Sequence, residues 1–291
     1  MSGQSILAIG VLVGLFVPPV SDFAGPALPV TVFLFVLGTF LRADLPALKL
    51  SLSNPQTSLV LPVTTVILLP VSVGIGLNLT SLPKPVVAGV VLALASPPSS
   101  GNAALARMFG YKGEVPLTII LVTTCLTPVT MPLVASTIGI DIDPMGLLLG
   151  LSKLLITAGT LALILRFFFG AFVSRNSVWI DRSVLYSLFV FAIATMQGVL
   201  GEIRNDVGFA ASILLAAFLT NALQQAIGYT IGRSSGHERI ALAMTFGNRN
   251  VGLAWAALGT TLNPAVTLFF ALAQLPIFVL PWVWKLFYRS D

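Results

Sequence analysis

Ten long apolar stretches, separated by short loops that hold most of the charge, constrain this chain more than any other feature. They run Ser5–Val20, Pro26–Leu41, Ser58–Leu77, Pro85–Leu105, Val115–Ile140, Pro144–Leu165, Val184–Leu200, Val207–Ile231, Ile240–Leu262 and Pro264–Trp284. A bilayer core needs about 20 apolar residues per helix, and only helices and closed barrels satisfy every backbone group in hydrocarbon. The stretches do not alternate in polarity as barrel strands do, so they predict helices. Charged residues make up only 9% of the 291 positions and hydrophobic ones 56%, against about 25% charged in soluble domains. The expected fold is all-α: a polytopic membrane protein with ten transmembrane helices. Nothing basic precedes the first stretch, which predicts a retained helix rather than a cleaved leader.

Basic residues segregate. Arg42 and Lys49 follow the second stretch, Arg107 and Lys112 the fourth, Arg166, Arg175 and Arg182 the sixth, Arg233 and Arg239 the eighth, and Lys285 and Arg289 the tenth. With ten spans these eleven of the 15 Lys and Arg share one side, while Lys84 and Arg204 lie opposite. The positive-inside rule then places both termini in the cytoplasm. The net charge of +5 is spread over loops, a topology signal and not a nucleic-acid surface.

Ten helices divide into two fives, residues 1–140 and 141–291, and an odd number per half forces opposite insertion. Each half carries an interruption at the corresponding place. The fourth stretch is broken at Ser96-Pro97-Pro98-Ser99-Ser100-Gly101-Asn102, and the ninth at Thr245-Phe246-Gly247-Asn248-Arg249-Asn250-Val251-Gly252. Paired interruptions of this kind are the best sequence pointer to the central site of a carrier built from inverted repeats. Pro97 and Pro98 end one half-helix, and Ser99 or Ser100 can cap a second that begins near Asn102 and favours an anion at its N-terminus.

Arg249 sits about ten residues from either end of its stretch. A charge there costs roughly 2.5–3.5 kcal/mol on insertion scales, and no acidic residue lies within any span to pair with it. Released backbone carbonyls or a substrate anion are the available partners, and the sequence leaves both open. Lys153 in the sixth stretch can snorkel; it and Gln274 are candidates for a solute pathway, as are Thr65, Thr118, Thr123, Thr124, Gln197, Asn221, Gln224 and Gln225, each of which has an interhelical hydrogen bond as its simpler role. The one cysteine, Cys125, and the one histidine, His237, form no cluster. No metal site, organic cofactor or catalytic triad is expected, and the spans hold no acid, base or nucleophile constellation for an enzyme.

At these residues the chain resembles the bile acid:sodium symporter family and its bacterial homologues, in the wider superfamily of bile, arsenite, riboflavin and auxin-efflux-like transporters. The resemblance spans nearly the whole chain: the ten-helix layout, Gly38-Thr39-Phe40-Leu41-Arg42-Ala43-Asp44-Leu45, the Pro97-to-Asn102 break followed by Gly113-Glu114-Val115, and the Gly247-to-Leu253 break. It implies crossed, broken helices four and nine, a core of helices three to five and eight to ten, and a panel of helices one, two, six and seven that moves against the core. It also implies a multi-pass protein of a bacterial inner (plasma) membrane. Sodium-coupled members resemble one another in a Glu where this chain has Thr245, in a helix-nine Gln where it has Arg249, and in a helix-three Gln where it has Thr65.

Thr65, Asn102, Thr118, Thr245 and Arg249 are thus the remnant ion-site positions, and sodium is not expected at the second family site. The substrate contacts expected are Ser99, Ser100, Gly101, Asn102, Asn248, Arg249 and Asn250. The function expected is alternating-access transport of a small organic anion without the two-sodium coupling of the family. The alternatives are a symporter that retains one sodium site and a transporter-derived membrane sensor.

Overall fold

A computed structural model describes residues 3–43, 46, 49, 52–99, 102, 114–235, 239–277 and 279–280. The side of the fourth stretch beyond Asn102, with Arg107 and Lys112, lies outside these residues, as do Ser100, Gly101, His237 and the basic C-terminal end.

The described residues are all-helical. In chain order they form α1 (Gly3–Phe16), α2 (Pro18–Ala24), α3 (Leu28–Leu41), α4 (Gln56–Asn78), α5 (Lys84–Ala95), α6 (Glu114–Ile138), α7 (Pro144–Arg175), α8 (Ser177–Ala194), α9 (Val199–Asn205), α10 (Val207–Ser235), α11 (Arg239–Gly247), α12 (Val251–Leu258) and α13 (Pro264–Leu272). Six helical runs are long and apolar enough to cross a bilayer: Pro18–Leu41, Gln56–Asn78, Glu114–Ile138, Pro144–Arg175, Ser177–Asn205 and Val207–Gly232. Exposed Leu149, Ile156, Leu163, Leu215 and Leu219 on their outer faces need an apolar solvent. The chain is an integral, multi-pass membrane protein.

Several boundaries differ from those expected. The first stretch breaks at Val17, because Pro18 and Pro19 start a new helix at positions where their missing N–H groups cost nothing; that helix runs through a 3-10 turn at Gly25–Ala27 into α3. The sixth stretch does not stop at Leu165. Its helix continues to Arg175 with one non-helical residue, Phe169, and Arg166 folds inward, where its Nη1 donates to the carbonyls of Phe40 and Ala43 at the end of α3. Carbonyls at a helix C-terminus favour a cation, and the Phe40 carbonyl also accepts from the Ala43 N–H at 3.3 Å.

Small residues set the helix contacts, as expected where lipid removes the hydrophobic drive between helices. Gly14 of α1 meets the backbone of Ile193 in α8, Gly89 of α5 meets Phe269 of α13, Gly150 of α7 meets Ala257 of α12, and Gly228 of α10 meets Leu242 of α11. Phe35 and Phe191 lock α3 to α8 edge to face at 5.6 Å. By these contacts α1, α3, α7 and α8 pack together, and α4, α5, α6, α10, α11 and α13 form a second group. Helix α7 bridges them through α6 and α12.

Candidate functional site: a crossing of two opened helices

Helix α5 stops at Ala95 because Pro97 and Pro98 cannot donate to the next turn. Helix α11 stops at Gly247, and α12 resumes at Val251. Between them the two extended pieces lie side by side, with Pro98 opposite Arg249 in an antiparallel bridge. The Asn250 N–H donates to the Pro97 carbonyl and the Ser99 N–H to the Asn248 carbonyl, both at 2.8 Å.

Opening a helix in an apolar interior releases carbonyls that must find donors. Several at this crossing do. The Gly247 carbonyl accepts from Nδ2 of Asn221 at 3.0 Å, and the Asn248 carbonyl accepts a second bond, from Nδ2 of Asn102 at 3.1 Å. Nδ2 of Asn248 donates in return to Oδ1 of Asn102 at 3.2 Å. The two asparagines thus pair across 146 residues of sequence. Gly247 is needed because a Cβ there would run into the Gln225 side chain.

Arg249 is 3% exposed and points away from solvent. Its Nε donates to Oε1 of Gln224 at 2.6 Å, its Nη1 to the Ser96 carbonyl at 3.2 Å and its Nη2 to the Thr65 carbonyl at 3.2 Å. The Ser96 carbonyl is free because the helix ends there. The Thr65 carbonyl is free for a different reason: Leu69 donates one residue further back, to Thr64, in a π turn, and Pro70 has no N–H to give. One guanidinium therefore ties α4, the α5 break and α10 together. All three acceptors are neutral, so its charge is solvated and not neutralised.

Of the expected site residues, the structure brings Ser99, Asn102, Asn248, Arg249 and Asn250 to one crossing, with the backbone of Thr65. The side chains of the remnant ion positions turn to their own helices: Thr65 donates to Leu61 and Pro62, Thr118 to Glu114, and Thr245 to Ala241. Lys153 does not join them; it is exposed on the face of α7 that carries Leu149 and Ile156, three or four residues away along the helix. Gln274 is buried and donates to the Phe270 carbonyl of its own segment; it lines neither cavity described next. Gln224, the closest partner of Arg249, carries no sequence signal beyond being an amide in an apolar run. The signal for the Thr65 carbonyl is Pro70, five residues on.

Of two spaces between the helices, one touches the crossing. There Val36, Thr39 and Phe40 of α3 close against Pro98, Asn250 and α6 residues Ile120 and Thr124, leaving about 10 Å³, room for a single water. The side chains of Asn250 and Thr124, both buried, supply polar groups to its lining. The second, an open cleft of about 520 Å³ lined by no residue of the crossing, separates α3 and α8 from α12 and α13. Among the described residues one buried acceptor, Oδ1 of Asn248, has no partner.

No protein-family model matches this chain, and no curated protein is significantly similar to it.

Proposed function

We propose that the protein is a secondary carrier that moves a small organic anion by alternating access, with ten spans arranged as two inverted repeats and both termini in the cytoplasm. The observation that carries this reading is the crossing itself: two helices opened at corresponding places, paired through their exposed backbones, around a buried cation that no carboxylate neutralises. A continuous helix would be more stable. Opened helices are kept in membrane proteins where their polar groups line a path or hold a ligand.

The six long helical runs account for six spans. Leu7–Phe16, Lys84–Ala95 with its continuation, the broken pair α11 and α12, and Pro264–Ile277 supply the other four. The division of contacts into two helix groups fits a panel that rocks on a core. The sealed Thr39–Thr124 side fits one end-state of that motion.

Arg249 acts as the fixed cation of the crossing. Three of its five N–H groups donate to protein oxygens, so it favours an anion mainly through its field; in low dielectric an uncompensated charge acts over several ångströms. Asn250, Thr124, Asn102 and Ser99 are the groups placed to touch the solute. Sodium coupling of the two-site kind is not expected where Thr245 is neutral and Arg249 occupies the neighbourhood.

A second reading, a carrier that keeps one cation site, is favoured by one observation: the unpartnered Oδ1 of Asn248 offers a buried neutral oxygen of the type that binds sodium. Uptake into proteoliposomes of a panel of carboxylates and sulfonates, with sodium or choline outside, tests both. Saturable uptake above protein-free vesicles in either salt supports the leading reading, a strict sodium requirement supports the second, and no uptake of any member in either salt overturns both.

A further inference from the structure

The open cleft carries a chemistry that the crossing does not. Its volume of about 520 Å³ is in the range of sites for drug-sized ligands. Its walls are largely apolar, with Leu28, Leu262 and Leu268, and its polar atoms come from Gln197, Thr267 and Glu202. No lysine or arginine lines it.

Glu202 is the distinctive wall residue. It lies on α9, a short helix that starts after Gly198, whose φ of +74° turns the chain sharply out of α8. Among the described residues its carboxylate has no ion pair and accepts no hydrogen bond. Two more carboxylates at this end cap helices, Asp143 at the Met145 N–H and Asp206 at the Phe209 N–H. Gly150 against Ala257 fixes the Asp143 end of α7 to the cleft end of the molecule. Asp22 and Asp141 lie at this end as well, so its carboxylates outnumber its cations, Arg204 and Lys84, and the field at the mouth is negative.

Trp255 forms the opposite wall. Its ring packs at 6.1 Å and a tilt of 51° on Phe270, and it is half-buried in the cleft wall. An indole face and an unpaired carboxylate across an apolar space are the two elements that recognise an organic cation, by cation–π attraction and by charge.

We propose that this cleft is a binding site for a small organic cation with an apolar body, such as a quaternary or tertiary amine, distinct from the anion path through the crossing. The ammonium lies between Trp255 and Glu202, and the apolar body lies along Leu262 and Leu268. The assignment does not rest on transport, because binding is read directly.

Purified protein in zwitterionic nanodiscs is titrated by calorimetry with benzyltriethylammonium, phenylacetate and benzyl alcohol, with protein-free nanodiscs as the partition control. The expected result is saturable binding of benzyltriethylammonium alone. Glu202→Gln and Trp255→Leu each weaken it at least fivefold, and Glu114→Gln, an exposed carboxylate that does not line the cleft, changes it less than twofold. Glu202→Gln replaces an exposed side chain, so its folding is not at issue, and melting temperature is recorded for each variant. Phenylacetate or benzyl alcohol binding as tightly as the cation, cation uptake equal to that of empty nanodiscs, or unchanged affinity in Glu202→Gln would overturn the proposal. Such a failure leaves proteoliposome uptake of anions untouched, so the two readings fail separately.

Discussion

Nε of Arg249 and Oε1 of Gln224 are 2.6 Å apart, the shortest of the three bonds that hold the guanidinium. Gln224 is on α10, while Arg249 is in the gap between α11 and α12, so this bond fastens the open backbone to an intact helix. Gln224 in turn holds the turn below it, through Nε2 to the Thr220 carbonyl at 3.2 Å. A neutral amide does here what a carboxylate does in an ion pair, without cancelling the charge.

Gln224→Ala should therefore cost about 1.5–3 kcal/mol, the range for a hydrogen bond to a charged group, read as a lowered melting temperature in detergent. Arg249→Gln should cost more, since it strips donors from the Ser96 and Thr65 carbonyls as well. The double variant should lose less than the sum of the two. Arg249→Lys should not rescue, because a point ammonium cannot span three acceptors set around a planar fork. A fully additive double variant would show that the two residues stabilise the crossing independently.

The close backbone contact of α10 with α11 predicts a second effect. A Cβ on Gly228 would lie 2.5 Å from the Leu242 carbonyl oxygen, so Gly228→Ala should destabilise by about 1–3 kcal/mol through overpacking. Gly76, with nothing within 4 Å of its would-be Cβ, should accept alanine neutrally or gain up to about 1 kcal/mol from helix propensity. Thermal unfolding of the two variants side by side checks the contrast.

Binding of an anionic substrate, once one is found by uptake, should be nearly the same in sodium and in choline. Tightening by sodium of tenfold or more, about 1.4 kcal/mol of coupling, would show that a functional cation site survives at the crossing and that Arg249 does not replace it. The combination Thr245→Glu with Arg249→Gln should move the protein toward a sodium response, because it restores a carboxylate and removes the competing charge.

Orientation is tested by labelling. In a Cys125→Ser background, a membrane-impermeant maleimide added to intact cells should modify Asn205→Cys, beside α9, and spare Asn176→Cys, in the turn between α7 and α8. The reverse pattern would invert the topology proposed from the distribution of lysine and arginine.

The helical, membrane-spanning character was legible in the sequence, because the cost of leaving a backbone group unpaired in hydrocarbon allows few solutions and ten apolar stretches without strand alternation select one of them. The places where helices open were legible for the same kind of reason: Pro97-Pro98 removes two donors, and Gly247-Asn248-Arg249-Asn250 puts a charge and two amides where a span should be apolar. Arg249 stood out because an intramembrane charge needs a partner. Its partners were not legible. The Thr65 carbonyl becomes available only through a π turn that places Pro70 at the fifth position, and Gln224 is one of several buried amides until α10 packs on α11 and brings it to the guanidinium. Lys153 looked much like Arg249 in sequence, an isolated cation in an apolar run, and ended on the exposed face of α7. The direction in which a side chain points around a helix is set by what the helix packs against, and that is a property of the assembled bundle. The cleft was wholly a matter of tertiary structure, since Gln197, Glu202, Trp255 and Thr267 come from separate segments that only the packing of α8 and α9 against α12 and α13 brings to one space.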